Sequence, residues 1–306
     1  MGRTAIELLL AGVLLSGVAR AGSQQPSDLA GRAVNLAMAG RCEEALPMLT
    51  QAVREATEKD VRLLTGEFGV RCAMLLNRQS AATTFLNRLQ QESPNDPRVL
   101  FLAIHLYSDL AYRNAQQLMK VAPNSLQVLQ LNAEDFEKAG NAKGAIGEYR
   151  VILKRAPATP GIHYRIGGLI FEHLGVAGTV DEARQEFEAE LKINPQNAGA
   201  EYYLGELARR ADKLPDAIQH FSRAASLAPN MPDAQFGLGR SLLDSGKTAE
   251  AVGPLEKASH LAPDNPTVHF TLGTAYERMG RKQDAAREFA LQKSAAAKLN
   301  AGGVKP

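Results

Sequence analysis

Residues 198–229 read AGAEYYLGELARRADKLPDAIQHFSRAASLAP, and this stretch decides the fold. In its first half Leu204, Leu207, Ala208 and Ala211 recur at steps of three and four, the spacing of one face of an α-helix. A polar turn follows around Asp212. Beyond it Ala217, Phe221 and Ala224 mark the inner face of a second helix, which Pro229 ends because proline has no N–H to continue the ladder. The segment therefore predicts a helical hairpin.

The same hairpin recurs along the chain. Prolines stand at Pro123, Pro157, Pro195, Pro229 and Pro263, spaced by 34, 38, 34 and 34 residues. In register with them run Ala145, Ala183, Ala217, Ala251 and Ala285, then Tyr149, Phe187, Phe221, Leu255 and Phe289, and Ala133, Gly167, Gly205, Gly239 and Gly273. A fixed period across several independent columns is the signature of a stacked repeat array. The 38-residue step places an insertion at 175–180, and Thr179-Val180-Asp181-Glu182 has the Thr-x-x-Glu spacing of a helix start, so a helix is expected from about Val180.

Upstream of Pro123 the pattern weakens. Residues 39–53 read as the turn and second helix of a first unit, with Pro47 irregular, and 60–94 as another. The 29 residues between Pro94 and Pro123 predict a shortened hairpin over 101–122. Eight units are expected in all, three of them degenerate. Residues 22–123 hold the degenerate hairpins, 124–299 five clearer ones, and 300–306 a flexible tail.

The repeat resembles the tetratricopeptide repeat family from about Leu126 to Ala297. It shares a leucine and a small residue in the first helix (Leu204-Gly205, Leu238-Gly239, Leu272-Gly273), an alanine opening the second, an aromatic four later and a closing proline. A small residue at a helix crossing lets two backbones approach while large neighbours fill the space around them. The chain departs from the family at the start of the first helix, where Leu129, His163, Glu201, Gln235 and His269 replace an aromatic. Ile152, Glu190 and Gln292 occupy an alanine position, and Pro254 lies inside a second helix. Each departure is expected to weaken a packing layer. The resemblance implies an all-α, right-handed superhelical solenoid.

Composition agrees with that class. Of 306 residues 45 % are hydrophobic, 22 % charged and 6 % aromatic, with no tryptophan. Lys+Arg 35 against Asp+Glu 33 leaves a net charge of +2, too little to concentrate nucleic acid. At the N-terminus Arg3 precedes an uncharged run, Leu8–Ala19, and Ala19-Arg20-Ala21 matches a small-x-small cleavage pattern. Twelve residues of helix rise only about 18 Å, short of a bilayer core of about 30 Å. Residues 1–21 thus read as a secretory signal peptide of a periplasmic or extracellular protein. The alternatives are an uncleaved membrane anchor and the first amphipathic helix of a cytosolic protein.

Chemistry-bearing motifs are sparse. The six histidines stand at none of the spacings of metal sites, and no Gly-x-Ser-x-Gly elbow, Walker loop or zinc-ribbon spacing occurs. No cofactor and no catalytic residue is assigned. Cys42 and Cys72 are the only cysteines. The resemblance puts them on helices that stack side by side, either as a disulfide or as two reduced core thiols.

Resemblance also places the ligand-facing positions on the first helices. Their fifth position reads Gln130, Tyr164, Tyr202, Phe236 and Phe270, flanked by Arg165, Tyr203, Glu206, Arg209, Arg240, Glu277 and Arg278. Aromatics beside arginine are common anchors of protein interfaces. The competing reading is that the aromatics pack against the next helix and the charges are a solvated face. The Lys/Asn cluster with which the family's chaperone-tail binders grip a terminal carboxylate is missing. The resemblance thus implies a non-catalytic scaffold that binds peptide or protein segments in a concave groove. A membrane-tethered envelope assembly factor is the alternative, followed by an enzyme or carbohydrate-binding protein.

Overall fold

The computed structural model describes residues 26–172 and 179–301. The leader-like segment 1–21, most of the insertion and residues 302–306 of the expected tail lie outside them, whereas 300 and 301 belong to the last helix. Among the described residues there are fifteen helices and no strand. They divide into two compact units with a boundary at Lys120.

The first unit holds two hairpins, α1 (Pro26–Met38) with α2 (Cys42–Glu55) and α3 (Lys59–Leu75) with α4 (Gln79–Glu92), followed by α5 (Pro97–Val121). Helix α5 corrects the sequence reading, since the shortened hairpin expected over 101–122 is one continuous helix of 25 residues. Nothing between Arg98 and Val121 is a glycine or proline, and Asp109 and Asn114, which could tolerate the left-handed backbone of a hairpin turn, keep helical backbone instead. Midway along it Asp109 forms an in-helix ion pair with Arg113 at 2.8 Å. The described chain therefore holds seven hairpins and one long helix, not eight hairpins.

The second unit is five hairpins: α6 (Leu126–Lys138) with α7 (Ala142–Arg155), α8 (Ile162–Glu172) with α9 (Thr179–Ile193), α10 (Ala198–Arg210) with α11 (Leu214–Leu227), α12 (Pro232–Asp244) with α13 (Thr248–Leu261), and α14 (Pro266–Arg278) with α15 (Lys282–Ala301). Where the turn between helices is described, one residue takes left-handed backbone: Gly140, Gly246 and Gly280, but Asp212 at φ 55° in α10–α11. Asp tolerates that region because its short polar side chain bonds locally. Pro254 sits inside α13 and Pro47 inside α2 without ending either helix.

The repeat columns have direct packing causes. Ala133, Ala145, Ala183, Ala217 and Ala251 are wholly buried. A Cβ added to Gly205 would lie 2.8 Å from the Phe221 ring, and one on Gly237 would lie 2.5 Å from it. Phe221, itself fully buried, is thus held between the first helix of its own hairpin and that of the next. The contact within the hairpin recurs for Gly167 with Phe187 and Gly273 with Phe289.

Four of the family departures, His163, Glu190, Glu201 and His269, are polar couplings rather than weak layers. His163 Nδ1 lies 2.6 Å from Glu186, and His269 Nδ1 lies 2.7 Å from Glu288. Glu201 reverses the roles: its carboxylate is 2.7 Å from His220 Nδ1 on the second helix and 2.9 Å from Arg223. Partners are 19 residues apart in two hairpins and 23 in the hairpin with the insertion of four. Glu190, fully buried at its alanine position, accepts hydrogen bonds at 2.9 Å from the Gly161 N–H and at 3.1 Å from Asn197 Nδ2, tying the entries of α8 and α10 together. Buried polar groups with all partners present fix register instead of costing stability.

The reversed pair makes a specific expectation. Glu201→His or His220→Glu alone should destabilise the protein by about 2 kcal/mol or more, because Glu201 is buried, and the two together should recover part of that loss, the Glu201 contact with Arg223 being given up in the swap. A double-mutant cycle by urea unfolding measures it; losses that simply add would mean the pair is uncoupled.

Candidate groove on the first helices

In the second unit successive first helices touch directly, α8 with α10, α10 with α12 and α12 with α14, whereas no two second helices do so among the described residues. In a curved stack the elements that approach one another lie on the inner side. The first helices therefore form the concave face of this unit.

The aromatic column does not behave uniformly. Tyr164 packs across the crossing, since a Cβ on Gly199 of α10 would lie 2.7 Å from its ring. Phe236 packs against the core of α12–α15. Phe270 is 55 % exposed, its ring 6.0 Å from that of Phe289. Gln130 is exposed and donates to Glu134 at 3.0 Å.

Tyr202 and Tyr203 come together in an open cavity of about 480 Å³, lined also by Phe171, Glu172, Arg210 and Asp233. Tyr203 stacks on Phe187, nearly parallel at 4.9 Å, and meets Phe171 at 4.9 Å. Tyr202 meets Tyr203 edge-on at 5.3 Å and Phe221 at 5.8 Å. Both rings thus rest on core aromatics while lining the cavity. Burial, followed by the fields of Glu206 and Asp233, pushes the Tyr202 phenol up to about 12. The Arg210 guanidinium lies over the Phe171 ring at 4.3 Å.

The other charged positions lie elsewhere on the face and are largely paired. Arg165 pairs with Glu137 at 2.7 Å, Arg209 with Glu206 at 2.9 Å and Arg240 with Asp244 at 3.8 Å. Arg278 donates to the Leu243 carbonyl at 3.1 Å, and Glu277 is exposed. Sequence reading missed Phe171, Glu172, Arg210 and Asp233. Phe171 and Arg210 were reachable, because each lies seven residues, two turns, beyond a tyrosine already chosen, Tyr164 and Tyr203. Among the described residues no group of three or more His, Cys, Asp or Glu is placed to hold a metal.

A tetratricopeptide repeat family model matches residues 131–198 and 170–232, and a TPR repeat model matches 239–280. Residues 131–232 and 239–280 are tetratricopeptide repeats. No curated protein matches the sequence. Among solved structures a MamA RS-1 double mutant is 17 % identical with a TM-score of 0.52, covering 58 % of this chain and 98 % of its own. MamA from residue 41 onward of Desulfovibrio magneticus RS-1 is 18 % identical at 0.50, covering 57 % and 97 %. YrrB, described as a TPR protein with an unusual peptide-binding site, is 17 % identical at 0.50, covering 59 % and 91 %. At these identities the likeness concerns the fold: a solenoid of helical hairpins.

In the first unit Cys42 and Cys72, both buried, are joined by an S–S bond of 2.05 Å between α2 and α3.

Proposed function

We propose that the second unit binds a peptide or protein segment along its first-helix face, without catalysing a reaction. The observation that carries the reading is the half-open aromatic cavity at Tyr202 and Tyr203, whose rings are fixed from behind by Phe187 and Phe221. Rigid aromatics presented to solvent bind partners at low entropic cost. A fold shared with YrrB, a protein described by its peptide-binding site, is consistent with this use. The leader-like pattern of 1–21 and a buried disulfide, a bond that persists in oxidising compartments, support an exported protein.

Crosslinked pull-downs compare the wild type with a Tyr202→Ala, Phe270→Ala variant whose circular dichroism is unchanged. A partner captured by the wild type should fall at least about 30-fold in affinity, as expected for two anchors each contributing about 1 kcal/mol or more. Equal capture by both would overturn the reading.

A further inference from the structure

The peptide-groove reading does not say which side chain the central cavity takes. We propose that the cavity between α8, α10 and α12 receives a cationic side chain, lysine or arginine, of the bound segment, an inference that rests on that reading.

Three features of the lining point the same way. The aromatic rings of Tyr202 and Tyr203 line it, and aromatic rings attract cations through their quadrupole, as the Phe171 ring beside them already does with Arg210. At its rim stand two exposed carboxylates, Glu172 and Asp233, and among the described residues neither has a hydrogen-bond or ion-pair partner. Most other carboxylates of this face are engaged, as Glu206 is by Arg209 and Glu137 by Arg165 and the Tyr149 hydroxyl. The lining does contain one cation, Arg210, but its guanidinium already lies on the Phe171 ring. Two carboxylates and one guanidinium leave a formal charge of −1.

The tyrosines register this field. Burial first, then Tyr164, Glu172 and Asp233, raise the Tyr203 phenol above its ordinary value, and Asp233 acts on Tyr202 in the same sense. A ligand ammonium or guanidinium would meet that field with the favourable sign. An acidic side chain would face two unpaired carboxylates, and an aliphatic one would leave both unanswered. A volume of about 480 Å³ admits a long side chain with backbone on either side of it.

The test uses the full chain and a library of short random peptides. Peptides selected by the wild type are resynthesised with each lysine or arginine replaced by norleucine, which keeps length and removes charge. Affinities are measured on the wild type, on a Glu172→Gln, Asp233→Asn variant and on Phe270→Ala, a groove change outside the cavity. Expected are one shared basic position, a loss of about 10-fold or more on its replacement, and a similar loss for the basic peptide on the Glu172→Gln, Asp233→Asn variant. The norleucine peptide should bind that variant and the wild type alike. If the selected peptides need Phe270 but show no basic preference, the cation assignment fails and the groove stands. If no peptide is selected, or none responds to any of the variants, both fail.

Discussion

Replacing Phe221 with alanine should lower the unfolding free energy by about 3–5 kcal/mol, the range for deleting a fully buried aromatic. This side chain is wholly inside, and its ring fills the space that glycine leaves on α10 and again on α12. The substitution therefore removes packing within one hairpin and between two. In a repeat array those are the two terms that sum to stability, so the middle of a five-hairpin unit loses both at once. The urea midpoint should drop and the transition should broaden or split, as the α6–α11 and α12–α15 segments cease to unfold together. Tyr202, 5.8 Å from the same ring, would lose its support, so ligand affinity should fall with stability. A loss under about 1 kcal/mol would mean the neighbouring helices collapse into the gap, contrary to the glycine lock described above.

Removing the disulfide is the second large effect. The bond joins positions 30 residues apart on helices of different hairpins. Cross-linking a loop of that length removes about 3–4 kcal/mol worth of denatured-state freedom in the chain-entropy model. A Cys42→Ser, Cys72→Ser variant should lose about that amount. Since both sulfurs are buried, the native protein should resist a thiol reductant until mild denaturant opens the α2–α3 packing. Mass spectrometry of the unreduced protein should find no free thiol. Two free thiols, or a serine variant as stable as the wild type, would contradict the bond.

The second unit was legible because its repeat columns are physical contacts. A glycine column opposite an aromatic column, offset by 16 residues at Gly205 and Phe221, is a packing lock written into the sequence. Helix α9 begins at Thr179, beside the Val180 expected from the Thr-x-x-Glu spacing. Helix α5 was misread because the proline spacing of 29 suggested a compressed unit, although no glycine or proline lies between Arg98 and Val121 to break a helix. The histidine–glutamate pairs were hidden for a different reason. Their partners exchange places between hairpins, so neither residue type forms a column, and only the offset is kept, 19 residues in two hairpins and 23 in the one with the insertion. The cavity was half visible. Its tyrosines belong to the repeat register, but Asp233 enters from the first turn of the following hairpin, a neighbour that spacing within one unit does not reveal.

The most direct measurement of the central claim is photo-crosslinking from two positions of the full chain. A photoreactive phenylalanine analogue replaces either Phe270, exposed on the first-helix face, or Lys257, exposed on the second helix α13. A bound segment should crosslink from position 270 and not from 257, and free competing peptide should abolish the product. Crosslinking from 257 with none from 270 would place the partner on the opposite face and contradict the account.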